Sequence, residues 1–197
     1  MEMLKEADFN KNDNFIAGWF IDETVCDALI DYFEKSPDKF PGRVQGKDTD
    51  KLDPECKKST DLSIKRENRD TEILNYYAEL HKVCEKYKEK YVYCSNWQDP
   101  WAIINPWNIQ RFYPNEAFYK AHCERFGRPT SARHLVFMTY LNDVDDGGET
   151  EFVYQKMKVK PRKGLTLIWG TDWTFLHRGL VSPTQTKYIT TGWFEYL

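Results

Sequence analysis

From position 111 to position 124 the chain runs Arg111-Phe112-Tyr113-Pro114-Asn115-Glu116-Ala117-Phe118-Tyr119-Lys120-Ala121-His122-Cys123-Glu124. Here a histidine is followed two residues later by a carboxylate, a spacing that the three other histidines of the chain lack. Residues i and i+2 of an extended segment project to the same side, so His122 and Glu124 can bind one metal ion together. A complete metal site then needs a third donor from a distant segment.

His177 is the strongest candidate for that third donor. It stands in Phe175-Leu176-His177-Arg178-Gly179, which we expect to form a turn just past an apolar strand. Two histidines and one carboxylate on one face of an octahedron leave three positions open, the arrangement found in non-haem Fe(II) oxygenases. A hydrolase can use a His/Glu/His zinc site built from the same residue types. The three residues alone therefore leave both kinds of metal chemistry open.

A lysine in an apolar strand gives a second, independent pattern. One face of the last predicted strand carries Lys187, Ile189, Thr191 and Trp193. Both faces of this strand are largely apolar, and an unpaired charge buried there is costly. Either a protein carboxylate or a bound anionic ligand must therefore pair with Lys187. Lys187 follows His177 by ten residues, which places it within one turn and one strand of the proposed metal.

Composition and charge narrow the class of protein. The 197 residues are 41% hydrophobic and carry a formal net charge of −3, from 28 basic and 31 acidic side chains. This length supports one sizeable core, and we expect a single domain over residues 1–197. The near-balanced charge gives no reason to expect a nucleic acid or a membrane as partner. The five cysteines form no Cys-x-x-Cys pair, which favours free thiols in a reducing compartment and predicts a cytoplasmic protein.

Hydrophobic periodicity predicts helices in the first half of the chain. Asp22 is predicted to cap a helix that ends at about residue 35, and a second helix is predicted over about residues 70–91. The segment between them, residues 37–68, is polar and rich in lysine. A connection of this length inside a compact domain is usually a functional lid or a disordered insertion, and both interpretations stay open.

After Trp107 the pattern changes to short strands separated by turns. The predicted strands cover residues 108–113, 134–141, 150–153, 157–160, 165–169 and 187–196. Both faces of the strand at 134–141 are largely apolar, so we expect it to be buried on both sides. Two helices followed by a run of strands predict an α+β fold, with the strands rolled into a sandwich or a barrel.

These residues carry a resemblance to a known family. From about Trp107 onward the sequence resembles the Fe(II)- and 2-oxoglutarate-dependent dioxygenases of the prolyl 4-hydroxylase type. The matching pieces occur in the order and at the spacings of the family, and they are Arg111-Phe112-Tyr113 with His122-Cys123-Glu124, Tyr140-Leu141-Asn142-Asp143-Val144 with Gly147-Gly148-Glu149-Thr150, Val159-Lys160-Pro161-Arg162-Lys163-Gly164, and His177-Arg178-Gly179 with Lys187-Tyr188 and Trp193. The resemblance implies a double-stranded β-helix (jelly roll) over about residues 107–197, with supporting helices within about residues 14–91.

The resemblance also implies roles for individual residues. The iron ligands would be His122, Glu124 and His177. The family ordinarily has aspartate where this chain has Glu124, so an extra methylene must be accommodated at the metal. Asn115 stands where the family usually has a turn glycine, which Asn tolerates because it can adopt a left-handed backbone.

The remaining implied roles concern the cosubstrate. Lys187 would pair with the distal carboxylate of 2-oxoglutarate, with Tyr113 and Tyr140 as hydroxyl donors nearby. Trp193 would either form a wall of the cosubstrate pocket or simply pack. The Tyr140 role has an independent argument, because a buried tyrosine hydroxyl needs a hydrogen-bond partner.

The activity that the resemblance implies is hydroxylation of an unactivated C–H bond. We expect a prolyl residue of a peptide or protein as substrate, with Fe(II), 2-oxoglutarate and O₂ as cofactors and cosubstrates and ascorbate as a candidate reductant. Two other interpretations stay open, namely a hydroxylase of a free amino acid or other small molecule, and a non-catalytic jelly-roll binding protein whose metal site is weakened by Glu124. The sequence predicts no particular oligomeric state.

Overall fold

The computed structural model describes residues 4–8, 14–45, 50–96 and 99–197. These parts of the chain contain two α-helices, α1 (Glu23–Lys35) and α2 (Thr71–Lys90). They also contain the strands β1 (Ala17–Phe20), β2 (Phe40–Pro41), β3 (Val44–Gln45), β4 (Asp50–Lys51), β5 (Thr60–Ile64), β6 (Trp101–Ala102), β7 (Trp107–Phe112), β8 (Arg133–Tyr140), β9 (Thr150–Phe152), β10 (Met157–Val159), β11 (Leu165–Gly170), β12 (His177–Gly179) and β13 (Lys187–Tyr196). Neither of the described helices combines the length and apolar character that crossing a bilayer requires.

Two antiparallel sheets carry the fold. The larger sheet has the order β1-β11-β8-β13-β7-β5-β2, with β6 also paired to β13, and the smaller sheet has the order β10-β9-β12. Buried side chains of the smaller sheet, such as Phe152 and Val159, belong to the same apolar cluster as Met138 and Ile189 of the larger sheet. The two sheets therefore face each other as the layers of a jelly roll, and the predicted α+β class is confirmed.

A second apolar cluster lies on the other face of the larger sheet. Leu135 and Phe137 of β8 pack there with buried residues of α1 and α2, while Val136 and Met138 of the same strand face the smaller sheet. β8 is therefore buried on both sides, as its apolar pattern predicted. The helices support the sheet from behind and leave its inner face free to build a site.

The ends of α1 follow from local chemistry. The Asp22 carboxylate accepts a hydrogen bond from the Thr24 N–H at 2.8 Å, which satisfies one of the unpaired donors at a helix N-terminus. The helix ends at Lys35, with Ser36 as its C-cap, and Pro37 follows, whose ring cannot continue a helix. Both predicted ends of α1 are thus confirmed.

The polar segment 37–68 is built into the sheet. Within its described part, which omits residues 46–49, β5 pairs with β7 and β2 pairs with β5. The Lys57 ammonium and the Asp61 carboxylate form a buried ion pair at 2.7 Å, with side chains only 4% and 3% exposed. Ser59 and Gln110 also donate to Asp61, so this buried carboxylate is well satisfied. For the described residues, the interpretation as a disordered insertion is therefore wrong.

Candidate metal centre and cosubstrate pocket

Backbone pairing brings the two predicted histidine ligands together. The His122 N–H donates to the His177 carbonyl at 2.9 Å, and the His177 N–H donates to the His122 carbonyl at 2.9 Å. The two residues are thus directly opposed, and the centroids of their imidazole rings lie 4.4 Å apart. His177 begins strand β12, so the prediction of a turn at this position is wrong. Only three residues form β12, too few to show the alternation by which a strand is recognised in sequence.

The Glu124 carboxylate completes the group of three donors. Its Oε1 atom lies 3.4 Å from Nε2 of His122 and 3.4 Å from Nε2 of His177, and the donor atoms all lie within 4.8 Å of one another. Adjacent donors about 2.1 Å from an octahedral ion lie about 3.0 Å apart. A small inward movement therefore suffices to close these donors on one face of such an ion.

Hydrogen bonds set the tautomers of both histidines. Nδ1 of His122 lies 3.0 Å from the Lys120 carbonyl, and Nδ1 of His177 lies 2.9 Å from the Phe175 carbonyl. A carbonyl oxygen only accepts, so each Nδ1 carries a proton and donates it. In the neutral ring Nε2 then has a free lone pair that can bind a metal ion, whereas without a metal a proton on Nε2 can be donated to Glu124. Metal-binding histidines are commonly oriented in this way by a backbone carbonyl.

Burial and charge favour the protonation states that a metal requires. Burial lowers the pKa of His122, and the neighbouring His177 adds to this effect. Burial alone would raise the pKa of Glu124, but hydrogen bonds from His122 and His177 outweigh it and hold that pKa well below its usual range. Neutral imidazole and ionised carboxylate are the forms that bind a metal ion. The chemistry of the donor set therefore fits Fe(II).

The second oxygen of Glu124 faces a tryptophan and an arginine. The Trp193 indole N–H donates to Oε2 at 3.0 Å, and Nη1 of Arg133 lies 3.6 Å from the same oxygen. The Arg133 guanidinium lies over the Trp193 ring, 3.6 Å from its centroid. The structure thus gives Trp193 a polar contact with a predicted ligand, while its role as a pocket wall stays a prediction. Sequence reasoning missed Arg133, whose one available signal was a cation beside an otherwise apolar strand.

Lys187 is buried, and no carboxylate in the described part of the chain pairs with it. Lys187 is only 4% exposed, and its ammonium donates to the carbonyl of Gly148 at 2.7 Å. Gly148 has a φ of +74°, a left-handed conformation that glycine adopts without strain. Among the described residues no carboxylate forms an ion pair with Lys187, and burial lowers its pKa to about 8 although the charge of Glu149 acts in the opposite direction. Of the two partners that the sequence left open, a bound anion is the one that this geometry favours.

The distance from Lys187 to the metal ligands follows from β12. A Cβ placed on Gly179 would lie 3.8 Å from the Lys187 ammonium nitrogen, and Gly179 is two residues beyond His177 on the same strand. Two residues of a strand span about 6.5 Å. A five-carbon dicarboxylate can therefore reach from the Lys187 ammonium to a metal ion at His177.

The two predicted tyrosine donors differ in their surroundings. Tyr140 is fully buried, and its hydroxyl hydrogen-bonds to Thr150 Oγ1 at 2.6 Å and to the Val159 carbonyl at 3.1 Å. Burial raises the pKa of this hydroxyl, which stays protonated as a donor. Tyr113 is 46% exposed, and its ring lies 4.3 Å from the Arg111 guanidinium. Donation by either tyrosine to a cosubstrate stays a prediction.

The turn after Tyr113 has the backbone that the sequence predicted. Asn115 has a φ of 66°, in the left-handed region that asparagine tolerates better than most residues. Further along the same segment, the Phe118 ring stacks on the His122 imidazole with centroids 3.6 Å apart. The backbone of this segment also bridges to Lys57. The segment 37–68 thereby supports the stretch of chain that carries His122.

Comparisons with known proteins agree with this geometry. Residues 107–195 match the family model of the 2OG-Fe(II) oxygenase superfamily. A curated relative, Probable prolyl 4-hydroxylase 9 of Arabidopsis thaliana, is 32% identical over an alignment of 115 residues, and the match covers 45% of this chain and 40% of that protein. The chain thus spans less than half the length of this relative.

Solved structures share the fold. The 2OG complex of the viral collagen prolyl hydroxylase from Paramecium Bursaria Chlorella virus-1 superposes with a TM-score of 0.69 at 19% identity, covering 93% of this chain and 97% of that one. A prolyl hydroxylase from Trichoplax adhaerens, in complex with a hypoxia inducible factor oxygen degradation domain peptide fragment, gives a TM-score of 0.69 at 16% identity, covering 93% and 84%. The predicted jelly roll is confirmed.

The fold and the three-donor site agree with the 2OG-Fe(II) oxygenase superfamily, whose family model matches residues 107–195, a little under half of the chain. The curated relative and the solved structures that the chain resembles are named as prolyl hydroxylases, the type that its motifs predicted.

Replacing Tyr140 with phenylalanine tests whether its hydroxyl only stabilises the fold or also binds the cosubstrate. Because Thr150 and Val159 lose their partner, we expect Tyr140→Phe to lower the free energy of unfolding by about 1 kcal/mol. If the hydroxyl also donates to the cosubstrate, as predicted, the Kd for 2-oxoglutarate rises about tenfold. Urea unfolding and anaerobic titration measure the two effects. The exposed Tyr154 gives a matched control, Tyr154→Phe, and an unchanged Kd in Tyr140→Phe would assign the hydroxyl to the fold alone.

Proposed function

We propose that this chain is an Fe(II)- and 2-oxoglutarate-dependent oxygenase that hydroxylates an unactivated C–H bond of a prolyl residue in a peptide or protein. The observation that carries the proposal is the buried Lys187, which has no carboxylate partner among the described residues and lies against Gly179, two residues from His177. A hydrolytic zinc site does not require a buried ammonium at this distance from the metal ligands. A dicarboxylate cosubstrate does require one, because its distal carboxylate needs a cationic partner.

The substrate class rests on the relatives. The proteins that this chain resembles in sequence and fold are named as prolyl hydroxylases, and one of them was solved with a peptide fragment. We therefore propose a peptidyl proline as the substrate in preference to a free amino acid. The five cysteines are all free, which supports a reducing compartment and hence the cytoplasm. Ascorbate is proposed as the reductant by analogy with the family.

The residues of the chain hold and shape the reaction site. His122 and His177 would bind iron through Nε2, and Glu124 would bind through Oε1. The iron, when bound, supplies the coupling by which O₂ oxidises 2-oxoglutarate to succinate and CO₂ while one oxygen atom enters the substrate C–H bond. Lys187 would bind the distal carboxylate of 2-oxoglutarate. The apolar side chains around Lys187, such as Phe112, exclude water from this end of the site. The ion pair between Lys187 and the distal carboxylate would be stronger there, because little water screens it.

Anaerobic titration tests the proposal. Addition of Fe(II) and 2-oxoglutarate to the protein should produce a visible charge-transfer band, and admission of air should convert 2-oxoglutarate to succinate. A set of proline-containing peptides, matched with peptides that carry alanine in place of proline, should then gain one oxygen atom only where proline is present. The absence of both the band and succinate would contradict the oxygenase function. Turnover of free amino acids in preference to the peptides would contradict the substrate class.

A further inference from the structure

Glu124 presents a geometric problem at the metal. Compared with aspartate, glutamate has one more methylene and one more rotatable bond, so its carboxylate can occupy more positions. A free glutamate carboxylate can also bind an ion through both oxygens, as hard cations commonly allow. Two-oxygen binding would occupy one of the three positions that O₂ and 2-oxoglutarate need. Something must therefore restrict Glu124 to one oxygen.

The structure separates the two oxygens of this carboxylate. Oε1 lies 3.4 Å from Nε2 of each histidine, whereas Oε2 accepts the indole N–H of Trp193 at 3.0 Å. The Arg133 side chain reaches the same residue at two points. Its Nη1 donates to the Glu124 carbonyl at 2.9 Å and lies 3.6 Å from Oε2. The backbone and the outer oxygen of Glu124 are thus held by one guanidinium.

Arg133 is itself fixed in place. Its guanidinium stacks on Trp193, and its Nε lies 3.9 Å from Oε1 of Glu195. The other oxygen of Glu195 accepts a hydrogen bond from Asn105 at 2.6 Å. The side chains of Arg133 and Glu124 are each only 13% exposed, so these contacts are little screened by solvent. A planar guanidinium held on an aromatic face loses little further freedom when it binds a carboxylate.

We propose that Arg133 and Trp193 are positioning residues that hold Oε2 of Glu124 away from the metal, so that Oε1 alone binds it. This inference rests on the proposed metal site. The two side chains turn the longer glutamate into a one-oxygen ligand and keep three metal positions open for 2-oxoglutarate and O₂. They act through Glu124 and need not touch substrate or cosubstrate.

Titration with Co(II) measures this role without turnover. Arg133→Met keeps much of the side-chain length but removes the charge, and Trp193→Phe keeps an aromatic face for Arg133 but removes the N–H. We expect each variant to bind Co(II) about 10-fold to 100-fold more weakly than the wild type, as is typical when a group that orients a metal ligand is removed. The visible Co(II) spectrum should also change as the number of bound oxygens changes. Arg133→Lys should recover part of the affinity.

A double-mutant cycle with Glu124→Asp separates positioning from general stability. The aspartate carboxylate lies one bond closer to the backbone, beyond reach of the contacts to Oε2, so Arg133→Met should cost less than about threefold in that background. Equal losses in both backgrounds, or no loss in the wild-type background, would overturn the proposal. Arg111→Met is the matched control, because Arg111 also stacks on an aromatic ring and pairs with a carboxylate, that of Glu34, and it should leave Co(II) affinity unchanged.

The same titrations distinguish failure of this inference from failure of the proposed function. A wild-type protein that binds no Co(II) would contradict the metal site itself. A wild-type protein that binds Co(II) but hydroxylates no peptide would contradict the proposed substrate, while the positioning role would still be decided by the variants. Thermal unfolding of each variant shows whether a loss of affinity comes from an unfolded protein, and Trp193→Phe then provides the test if Arg133→Met does not fold.

Discussion

Lys187→Met greatly weakens 2-oxoglutarate binding and leaves the protein folded, if the buried ammonium serves the cosubstrate. Methionine fills a similar volume in the apolar surroundings, and it removes a buried charge that has no carboxylate partner among the described residues. The stability of the free protein should therefore not fall. Loss of one partner from a buried charge pair costs about 2 to 5 kcal/mol in binding. We expect 2-oxoglutarate to bind at least about 30-fold more weakly, with Co(II) affinity unchanged.

Anaerobic titration of the Co(II)-loaded protein with 2-oxoglutarate measures this effect. Lys158→Met is a suitable control, because the Lys158 side chain is 58% exposed and pairs with Glu151 on the smaller sheet. It should leave the Kd for 2-oxoglutarate as in the wild type. If the Lys187→Met protein binds 2-oxoglutarate normally, or if it does not fold, Lys187 serves the fold instead.

The same lysine makes both binding and stability depend on pH. In the free protein the pKa of Lys187 lies at about 8 because of burial, below its usual value of about 10.4. Below pH 8 the ammonium is charged and ready to bind a carboxylate. As the pH rises above 8 the free protein loses that proton, so the affinity for 2-oxoglutarate falls by up to about tenfold per pH unit. Conversely, the charged lysine opposes folding below pH 8, and this penalty disappears as the pH rises from about 8 to about 10.4. Lys187→Met should remove both dependences.

His122→Ala has the second large expected effect, which is loss of the metal. Removal of a group that merely orients a ligand costs about 10-fold to 100-fold in metal affinity, and removal of the ligand itself should cost more. We therefore expect Co(II) binding to weaken by more than about 100-fold, and 2-oxoglutarate turnover to be lost with it. His81→Ala is the matched control, because His81 lies on α2 with its side chain 73% exposed. Co(II) affinity close to that of the wild type in His122→Ala would contradict the metal site.

The parts of the site that the sequence could predict are those set by local geometry. His122 and Glu124 face the same side because the chain between them is extended, and this needs no knowledge of the fold. The ends of α1 also depend on adjacent residues, namely Asp22 before the helix and Pro37 after it. The long apolar strand β8 was evident from its composition. Such features are encoded within a few residues of chain.

The parts that the sequence could not predict depend on contacts between distant segments. Arg133 stacks on Trp193 and approaches Glu195 because β8 and β13 are neighbours in the larger sheet, and no local pattern contains that information. The strand β12 exists because it pairs with β9 of the smaller sheet, and its own three residues show no strand signal. The hydroxyl partners of Tyr140 likewise lie on β9 and β10. Each of these contacts is a property of the sheet order and not of the motif.

The pairing of His122 with His177 has a consequence for the stability of the protein when no metal is bound. The two residues stand 55 positions apart, so an ion held between them ties two remote parts of the chain, much as a removable cross-link would. An ion that binds only the folded state raises the free energy of unfolding by about 2.7 kcal/mol when its concentration is 100 times the Kd. Scarcity of iron would then shorten the lifetime of the protein as well as stop its reaction.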